Sequence, residues 1–413
     1  MTEPNNRPST IVRLIRALQW HGYGRWRSCA ATWYRERKSR QEPKPTITGP
    51  RAIGRRRGRA LLTYLADPYL PDFDPADIHL HSNRWKSREL GTILSELGYD
   101  VDVTDWQNFH PPAATEYDVV FGHGLAYERA CRKSAPNCKK IFLGAIAYMD
   151  QLVAEENRRL QWLNERRGVK LARRYFAQYR RDTGASRSDA LILLGTDWVI
   201  DTYAQFKHLP TFRWRNVVVN DVPVGQTQKN YDTARKNFLW MAGYAAVHRG
   251  LDVLLEVFAA TPDLHLWICG SIAHERDFMD AYHRELFDLP NIHFIGWIDV
   301  SSSQFRDIVT TCGYCVYPSG SDAMAGALVN QMATGLIPIR TKEAGTDCGG
   351  HGYELALFTH DTILEILRHA SEADATKLQH DAASVSEFAV RHYSKSRFQD
   401  DFKNALSKIL GSP

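Results

Sequence analysis

The sequence predicts an α/β protein built from two Rossmann-like domains, and three observations lead to that prediction. Short apolar runs alternate with amphipathic helical segments along most of the chain, a pattern typical of parallel sheets with helical crossovers. This alternation stops over residues 205–236, which are irregular and rich in turns, and then begins again. The chain has 413 residues, which is too long for one ordinary hydrophobic core and suits two domains.

Composition excludes several other classes of protein. With 44% hydrophobic and 24% charged residues, the chain is expected to be a soluble globular protein and not a disordered one. No segment approaches the roughly 20 consecutive apolar residues of a membrane-spanning helix, and the first residues lack the pattern of a secretory signal. The seven cysteines are scattered and odd in number, which does not suit a disulfide framework. These features predict a cytoplasmic protein.

Charge is distributed unevenly along the chain. Residues 1–60 contain 15 Lys and Arg against 3 Asp and Glu, whereas the remainder contains 37 against 44. Apolar side chains repeat at helical spacing near the start: Ile11, Leu14, Ile15 and Leu18. Tryptophans and further basic residues follow, so residues 10–40 suit the anionic inner face of a membrane. The alternatives are a helix that packs on the body of the protein, or nucleic-acid binding, which nothing else in the sequence supports.

Pattern and composition divide the chain into four predicted parts. They are a basic amphipathic extension with a Pro-rich linker (1–58), a first Rossmann-like domain (59–212), a second one (213–393) and a C-terminal helix that crosses back (394–413). The turn-rich stretch at residues 205–236 is expected to act as the interdomain hinge.

In the first domain, apolar runs predict strands at residues 60–65, 100–106, 117–121, 140–144 and 190–194. Ser82 can cap a helix with a regular apolar face, and Gly98 ends it. A long charged helical stretch follows the fourth strand and continues to about residue 182. Strands separated by helices in this way predict a parallel sheet.

The second domain repeats the pattern, with predicted strands at residues 237–242, 264–269, 292–298, 314–317 and 337–340. Predicted helices cover residues 250–261, 278–289, 303–311, 326–334 and 394–410. Cys312 and Cys315 have the spacing of half a zinc or redox site, but they have no second pair and one lies in a strand. Buried structural cysteines are therefore expected there.

Three junctions between a strand and a helix in the second domain suit a phosphate-bearing ligand. Such a ligand needs positive charge and free backbone N–H groups, which occur where a strand ends and a helix begins. The junctions are residues 243–250, which include Arg249, residues 269–271 and the small-residue loop 318–326.

The residues around these junctions resemble a known family. NFLWMAGYAAVHRGLDVLLEVFAATPDLHLWICG (237–270) resembles the start of the donor domain in retaining GT-B glycosyltransferases of family 4, or group 1. PSGSDAMAGALVNQMATGLIPI (318–339) resembles the segment that carries the family's E-x7-E pair. The resemblance covers about residues 237–410, whereas the first half matches in arrangement more than in motif. It implies sugar transfer with retention and without metal, from a nucleotide-sugar donor on the second domain to a glycan or lipid-linked glycan on the first.

This chain departs from the family's pattern at two places. Asp322 and Asn330 stand at the E-x7-E positions, where the family uses the first carboxylate at the sugar or leaving phosphate and the second at the ribose. Asn330 keeps a hydrogen-bonding group but loses the charge. Tyr244 stands where the family often has a second basic residue, which leaves Arg249 as the phosphate clamp. The alternatives are a surface cation for Arg249 and a helix cap for Asp322.

The resemblance implies the following donor-binding set: Gly243, Tyr244, Arg249, Gly270, Ser271, Trp297, Ile298, Ser319, Asp322, Met324, Ala325, Gly326 and Asn330. The backbone of Trp297 and Ile298 would contact the base, although strand-end packing explains them equally well. Arg249 and the amides near residues 324–327 would stabilise the leaving group. The implied catalytic residues are His123, Arg249 and Asp322.

On the first domain, the resemblance implies a histidine at the end of a strand. His123 fits because it lies between two glycines, which permit close approach of backbone to a ligand, although a structural histidine is the alternative. His79 and His81 are further candidates. The Asp-x-Asp triplets at residues 72–74 and 100–102 lie in a Pro-rich loop and inside a strand, so neither a metal nor another cofactor is expected.

Two other functions remain open at this point. The replacements at Tyr244 and Asn330 suit a catalytically silent module that binds a nucleotide or glycan. A nucleotide-sugar epimerase with the same fold is the second alternative.

Overall fold

The computed structural model describes residues 44–79, 82–175, 184–218 and 229–411. The predicted membrane-binding segment at residues 10–40 and His81 lie outside these ranges. The described residues form two α/β domains, each built on a largely parallel sheet, which confirms the predicted fold class. Among the described helices, none has the length and apolar character needed to cross a bilayer.

The first domain contains a seven-stranded sheet with the order β1-β3-β2-β4-β5-β6-β7. Its strands are β1 Ile47–Thr48, β2 Gly58–Tyr64, β3 Tyr99–Asp105, β4 Val119–Gly122, β5 Lys139–Gly144, β6 Ala190–Leu194 and β7 Thr211–Trp214. All neighbouring strands are parallel except β1 and β3. The carboxyl ends of the parallel strands therefore meet at one edge of the sheet, where ligands of such folds bind.

The described residues of this half of the chain form the α-helices α1 Ser82–Glu96, α2 Gly124–Arg132, α3 Met149–Arg167 and α4 Asp197–Thr202. Helix α3 is shorter than the predicted stretch to residue 182. It ends at Arg167 because Gly168 adopts the left-handed conformation (φ 69°) and its N–H caps the carbonyl of Asn164.

The second domain contains a six-stranded parallel sheet with the order β10-β9-β8-β11-β12-β13. Its strands are β8 Asn237–Met241, β9 His265–Cys269, β10 Ile292–Gly296, β11 Tyr314–Tyr317, β12 Ile337–Arg340 and β13 Tyr353–Glu354. The helices that follow α4 in the chain are α5 Tyr231–Ala234, α6 Leu251–Ala259, α7 Arg276–Ala281, α8 His283–Phe287, α9 Ser303–Thr311, α10 Gly326–Ala333, α11 His360–Ser371, α12 Ala375–His392 and α13 Lys395–Leu410.

Short 3-10 helices complete the described elements: Asp67–Tyr69, Pro75–His79, Ala114–Glu116, Gly184–Arg187, Ala204–Phe206, Ile272–His274 and Lys342–Ala344. Cys312 and Cys315 are both buried, as expected for structural cysteines. The predicted helix at residues 278–289 is instead divided into α7 and α8, with Tyr282 between them.

Two segments predicted as irregular belong to the first sheet. Strand β7 lies inside the stretch predicted as a hinge, and it pairs with β6 through residues 211–214. The first sheet therefore continues two residues past the predicted boundary at residue 212. Strand β1 likewise falls in the predicted linker and pairs with β3. Both strands lie at edges of the sheet, where short pairings leave a weak periodic pattern in the sequence.

The C-terminal helix α13 crosses back onto the first domain, as predicted. Phe398 packs edge-on against Trp85 of α1, with ring centroids 5.2 Å apart, and Phe402 packs 5.2 Å from Trp214 of β7. Both phenylalanines are fully buried. These aromatic contacts hold α13 against α1 and strand β7 of the first domain.

Helix α3 lies in the first half of the sequence but bonds to the second domain. Arg159 is 2% exposed and donates to the carbonyl of Pro318 at 2.7 Å, while its guanidinium lies 3.7 Å from the ring centroid of Phe358. Arg166 forms an ion pair with the buried Asp252 at 2.6 Å. The two domains are thus joined by charge-assisted hydrogen bonds. The arginine side chains that donate these bonds are themselves largely buried.

Candidate functional site

A cleft of about 520 Å³ lies between the two domains, at the carboxyl ends of strands from both sheets. Tyr64 at the end of β2, His123 after β4 and Lys86 of α1 line it from the first domain. The loop after β8 and the loop leading into α10 line it from the second domain. Because open α/β sheets bind ligands at these strand ends, this cleft is the candidate functional site.

The cleft brings together nine of the predicted site residues: His123, Gly243, Tyr244, Arg249, Asp322, Met324, Ala325, Gly326 and Asn330. Five others are not among the residues that line it: Gly270, Ser271, Trp297, Ile298 and Ser319. Gly270 has its own structural reason, because its φ is 142° and a Cβ there would overlap the carbonyl of Ala242. Ser319 is fully buried, whereas Trp297 is 67% exposed.

Arg249 and Asp322 form the charged centre of the second-domain wall. Arg249 Nε lies 3.4 Å from Asp322 Oδ2, and Arg249 Nη1 donates to the carbonyl of Tyr244 at 2.6 Å. The phenol of Tyr317 donates to Asp322 Oδ2 at 2.8 Å, and burial raises the pKa of this phenol so that it stays protonated. Arg249 is only 13% exposed, so it is a buried component of the cleft and not a surface cation.

Asp322 does not cap the following helix. Helix α10 begins at Gly326, its N-cap residue is Ala325, and within the described residues no side chain caps its first amides. Asp322 Oδ1 instead accepts the N–H of Ala323 at 3.0 Å, within the preceding loop. The first turn of α10 therefore presents uncapped N–H groups at the cleft, where the helix dipole favours an anion.

Asn330 lies one turn further along α10 and also lines the cleft. Its Nδ2 donates to the carbonyl of Gly326 at 2.7 Å. Its Oδ1 is buried and has no hydrogen-bond partner among the described residues. Since buried acceptors in folded proteins are nearly always bonded, this oxygen suits a hydroxyl donor of a ligand.

Backbone strain is concentrated in the second-domain loops of the cleft. Ala245 (φ 61°) and Met324 (φ 50°) are the residues other than glycine with positive φ in the described part of the chain. Each such conformation costs on the order of 1–3 kcal/mol and persists only where its surroundings hold it. Asn216, which is 3% exposed, holds Met324 by donating from Nδ2 to its carbonyl at 2.7 Å.

Glu275 holds the other strained loop. This buried carboxylate accepts the N–H groups of Ala245 and Ala246, the latter at 3.3 Å, and pairs with Arg174 Nε at 3.1 Å. A phosphate-binding role was expected for this loop as a whole. Because Glu275 already occupies two of its amides, the loop can offer a ligand the side chain of Arg249 and the backbone before residue 245.

His123 lies on the opposite wall, between the rings of Tyr64 and Trp106, at centroid distances of 5.4 and 5.5 Å. Burial lowers the pKa of His123 to about 4, so the imidazole is neutral near pH 7. Its glycine neighbours do not mark approach to a ligand. A Cβ on Gly122 would overlap Thr63, and one on Gly124 would lie 2.8 Å from Trp106, so both glycines are required by the protein's own backbone.

Sequence reasoning missed Lys86, Asn216 and Glu275. One of them carried a detectable signal, because Lys86 lies on the apolar face of α1, four residues before the buried Leu90. A lysine at a helical position that faces the core is unusual, and it could have indicated a functional role for Lys86. Asn216 and Glu275 follow no local pattern, since each acts on a loop distant in sequence.

No group of three or more His, Cys, Asp or Glu side chains in the described ranges has an arrangement that could hold a metal ion. The carboxylates of the triplet at residues 100–102 are engaged elsewhere: Asp100 pairs with Arg56 at 2.6 Å and Asp102 with Arg59 at 2.8 Å. Both pairs lie outside the cleft lining. The metal-free reaction expected from the sequence remains a prediction.

Comparisons with known proteins agree with this architecture. HepE from Anabaena, solved with UDP and glucose, is 15% identical, with 85% of this chain and 100% of that chain aligned at a TM-score of 0.53. WaaG, a glycosyltransferase involved in lipopolysaccharide biosynthesis, is 16% identical over 86% and 100%, also at 0.53. Sucrose-phosphate synthase from Thermosynechococcus elongatus is 12% identical over 86% and 99%, at 0.57. The chain therefore has the GT-B fold.

The second domain gives the more specific result. Residues 235–370 match the family model of group 1 glycosyl transferases, and this range contains the Arg249–Asp322 pair and Asn330. The chain thus combines the GT-B fold with a second domain that matches the group 1 glycosyl transferase model over residues 235–370. Comparison with curated proteins gives no match.

Proposed function

We propose that the chain transfers a hexose from a nucleotide-sugar donor to a glycan or lipid-linked glycan acceptor in bacterial surface polysaccharide synthesis. One observation carries this proposal: Arg249, the uncapped first turn of α10 and the unpaired oxygen of Asn330 meet in one interdomain cleft. The names of the solved relatives support the substrate class, because the HepE structure contains UDP and glucose and WaaG acts in lipopolysaccharide biosynthesis.

The second-domain wall binds the donor in this proposal. The Oδ1 of Asn330 accepts a hydrogen bond from a ribose hydroxyl, and the amides of α10 with Arg249 hold the diphosphate. As the bond between sugar and phosphate breaks, negative charge grows on the leaving diphosphate, and these preorganised donors stabilise it. Asp322 fixes the orientation of Arg249 through their 3.4 Å contact.

The first-domain wall binds the acceptor. His123 is neutral at physiological pH, so it donates or accepts a hydrogen bond and does not supply charge. Trp106 and Tyr64 beside it offer aromatic surface to a sugar ring. The product keeps the anomeric configuration of the donor, and no metal takes part.

A donor panel tests this proposal in three steps. A thermal-shift screen with nucleoside diphosphates identifies the base, because a bound ligand raises the melting temperature by mass action. Transfer is then assayed with nucleotide sugars of that base and extracted lipid-linked glycans, with and without a chelator, and NMR gives the anomeric configuration. Failure to bind any nucleoside diphosphate would contradict the donor site. Loss of activity with the chelator would contradict metal independence.

A catalytically silent module is the second candidate, and the occupation of two loop amides by Glu275 favours it. It predicts binding of a nucleoside diphosphate without turnover of any donor. An epimerase would convert the donor when no acceptor is present. The same panel separates these outcomes.

We also propose that the enzyme works in the cytoplasm at the inner face of the membrane, through residues 10–40, which lie outside the described ranges. Co-sedimentation of the full chain with vesicles tests this. Binding to vesicles with anionic lipid, absent for neutral vesicles and weakened by the double substitution of Arg13 and Arg16 to Glu, supports it. Equal binding to both vesicle types contradicts it.

A further inference from the structure

Lys86 is a buried lysine without a carboxylate partner among the described residues. It lies on α1, is 3% exposed and lines the interdomain cleft. Its ammonium donates to Asn83 Oδ1 at 3.1 Å and lies 5.6 Å from the ring centroid of Trp214. No described carboxylate forms an ion pair with it, and burial lowers its pKa to about 7. Placing an ammonium in such a position is unfavourable, which indicates a role for it when a ligand is present.

The position of Lys86 relates it to the N-terminus of α10. Ser82 lies one helical turn before Lys86 on the same face of α1. A Cβ built on Gly326 would lie 3.6 Å from Ser82 Oγ and 3.3 Å from Asn216 Nδ2. The beginnings of α1 and α10, which both line the cleft, thus lie next to each other. A ligand held by the first amides of α10 is approached from the other wall by α1.

The second-domain wall alone supplies little net positive charge for a diphosphate. Asp322 offsets Arg249, Tyr244 stands where a second cation was expected, and Glu275 occupies two nearby amides. A diphosphate placed there would meet one cation that is already paired. Of the described residues that line the cleft, Lys86 is the other Lys or Arg.

We propose that Lys86 binds a phosphate oxygen of the donor from the first domain and so supplies the second cation that the donor domain lacks. This inference rests on the proposed function of the cleft. It makes diphosphate recognition a property of both domains, since Arg249 and the α10 amides act from one wall and Lys86 from the other. The nucleoside part of the donor does not contact Lys86.

The test compares ligands that differ only in phosphate. Dissociation constants are measured for the nucleoside, its monophosphate and its diphosphate, with the base found in the screen. Lys86→Met should weaken diphosphate binding roughly tenfold to hundredfold, as expected for loss of a hydrogen bond to a charged group, and leave nucleoside binding unchanged. Lys86→Arg should retain more of the affinity than Lys86→Met.

The control is Lys395→Met. Lys395 lies 5.9 Å from the ring of Trp85 and does not line the cleft, so its loss should leave all three constants unchanged. The melting temperature of Lys86→Met without ligand is measured in parallel. It should be higher than that of the original protein, because an unpaired buried charge is removed. If this variant does not fold, Lys86→Gln is measured in its place.

The outcomes separate the two proposals. Diphosphate binding by the original chain, with equal binding by Lys86→Met, overturns the role of Lys86 and leaves the donor site intact. If Lys86→Arg and Lys86→Met lose the same amount of diphosphate affinity, the positive charge of Lys86 is not what binds the phosphate. No diphosphate binding by the original chain overturns both proposals.

Discussion

The two walls of the cleft differ in how their polar residues are held. On the second-domain wall, Arg249 and Asp322 lie in loops that join a strand to a helix. Each also bonds to a residue five positions away in sequence, Arg249 to Tyr244 and Asp322 to Tyr317. On the first-domain wall, Lys86 projects from inside a helix, and His123 is enclosed by two other segments. Local sequence patterns therefore describe the second-domain wall far better than the first-domain wall.

The walls also differ in charge. Arg249 and Asp322 balance each other, whereas no carboxylate in the described ranges pairs with Lys86, and His123 is neutral at physiological pH. A balanced pair is preorganised before the ligand arrives. An unbalanced cation gains its partner only when the ligand binds, so the two walls contribute differently to stability and to affinity.

The largest expected effect is on the balanced wall. Arg249→Met should lower kcat/KM by about 10²–10³-fold, because it removes a preorganised cation from the leaving group. It should also destabilise the fold, since Asp322 is left buried without its partner. Steady-state kinetics and urea unfolding measure the two effects.

A double substitution isolates the catalytic part of this effect. Arg249→Met combined with Asp322→Asn should recover stability but not activity. Arg391→Ala serves as a control, because Arg391 is 72% exposed and pairs with another exposed side chain. If Arg249→Met has the same kinetics as the original chain, Arg249 does not act in donor binding or transfer.

Acid should destabilise both domains through two histidines, His123 on the cleft wall and the buried His248 in the loop before α6. Burial lowers the pKa of His123 and of His248 to about 4, whereas an unfolded histidine has a pKa of about 6.5. Between these values the unfolded chain binds protons that the folded chain does not. The free energy of unfolding should therefore fall as the pH falls from about 6.5 to 4, by at most about 3 kcal/mol per histidine.

Urea unfolding at pH 7 and pH 4.5 measures this loss. His123→Phe and His248→Gln should each reduce the difference between the two pH values, and His380→Gln, at an 82% exposed side chain, should not. An unchanged difference in His123→Phe would show that His123 is protonated in the folded protein.

The next effect tests how the walls are connected. Asn216→Ala should lower the free energy of unfolding by about 2 kcal/mol, because the carbonyl of Met324 loses its buried donor and the strained φ of 50° loses its support. Activity should fall as well, since Met324 lines the cleft. Asn404→Ala, at an exposed site on α13, is the matched control and should have no effect on either.

The smallest expected effect is at the ribose. Asn330→Ala should raise the KM for the donor about tenfold, because it removes one hydrogen-bond acceptor. Comparison with a 2′-deoxy donor sharpens the test. The original chain should prefer the ribose form, and Asn330→Ala should lose most of that preference. If both proteins prefer the ribose donor over the 2′-deoxy donor to the same extent, Asn330 does not bind the ribose.

Asn330 also explains why restoring the family's carboxylate should fail. Its Nδ2 donates to the carbonyl of Gly326 at 2.7 Å, and a glutamate there has no hydrogen to donate. Asn330→Glu should therefore be less active than the original chain, although it matches the family pattern more closely. A gain in activity would show that this hydrogen bond has no importance.

The fold was predictable because strand and helix periodicity is a local property. Strands β6 and β11 begin and end where the apolar runs predict, and the two-domain division follows from the repeated alternation. Edge strands β1 and β7 were missed because they pair over two to four residues. The end of α3 at Gly168 was missed because charged helical composition continues beyond it.

The site was predictable only in part, for a related reason. Arg249, Asp322 and Asn330 lie in a segment with a recognisable order of residues, and the structure places them in one cleft. Asn216 and Glu275 act on loops that lie far away in sequence, 108 and about 30 residues from their partners. Their side chains have no local pattern, so only tertiary structure relates them to the site.

The attachment of α3 has a consequence for protein engineering. The domain boundary predicted from the sequence suggests a junction near residue 213 for an exchange of the second domain. Such a chimera would leave Arg159 without the carbonyl of Pro318 and Arg166 without Asp252. An exchange that keeps these bonds therefore has to carry α3 together with the second domain, as a discontinuous module made of two separate segments of the sequence.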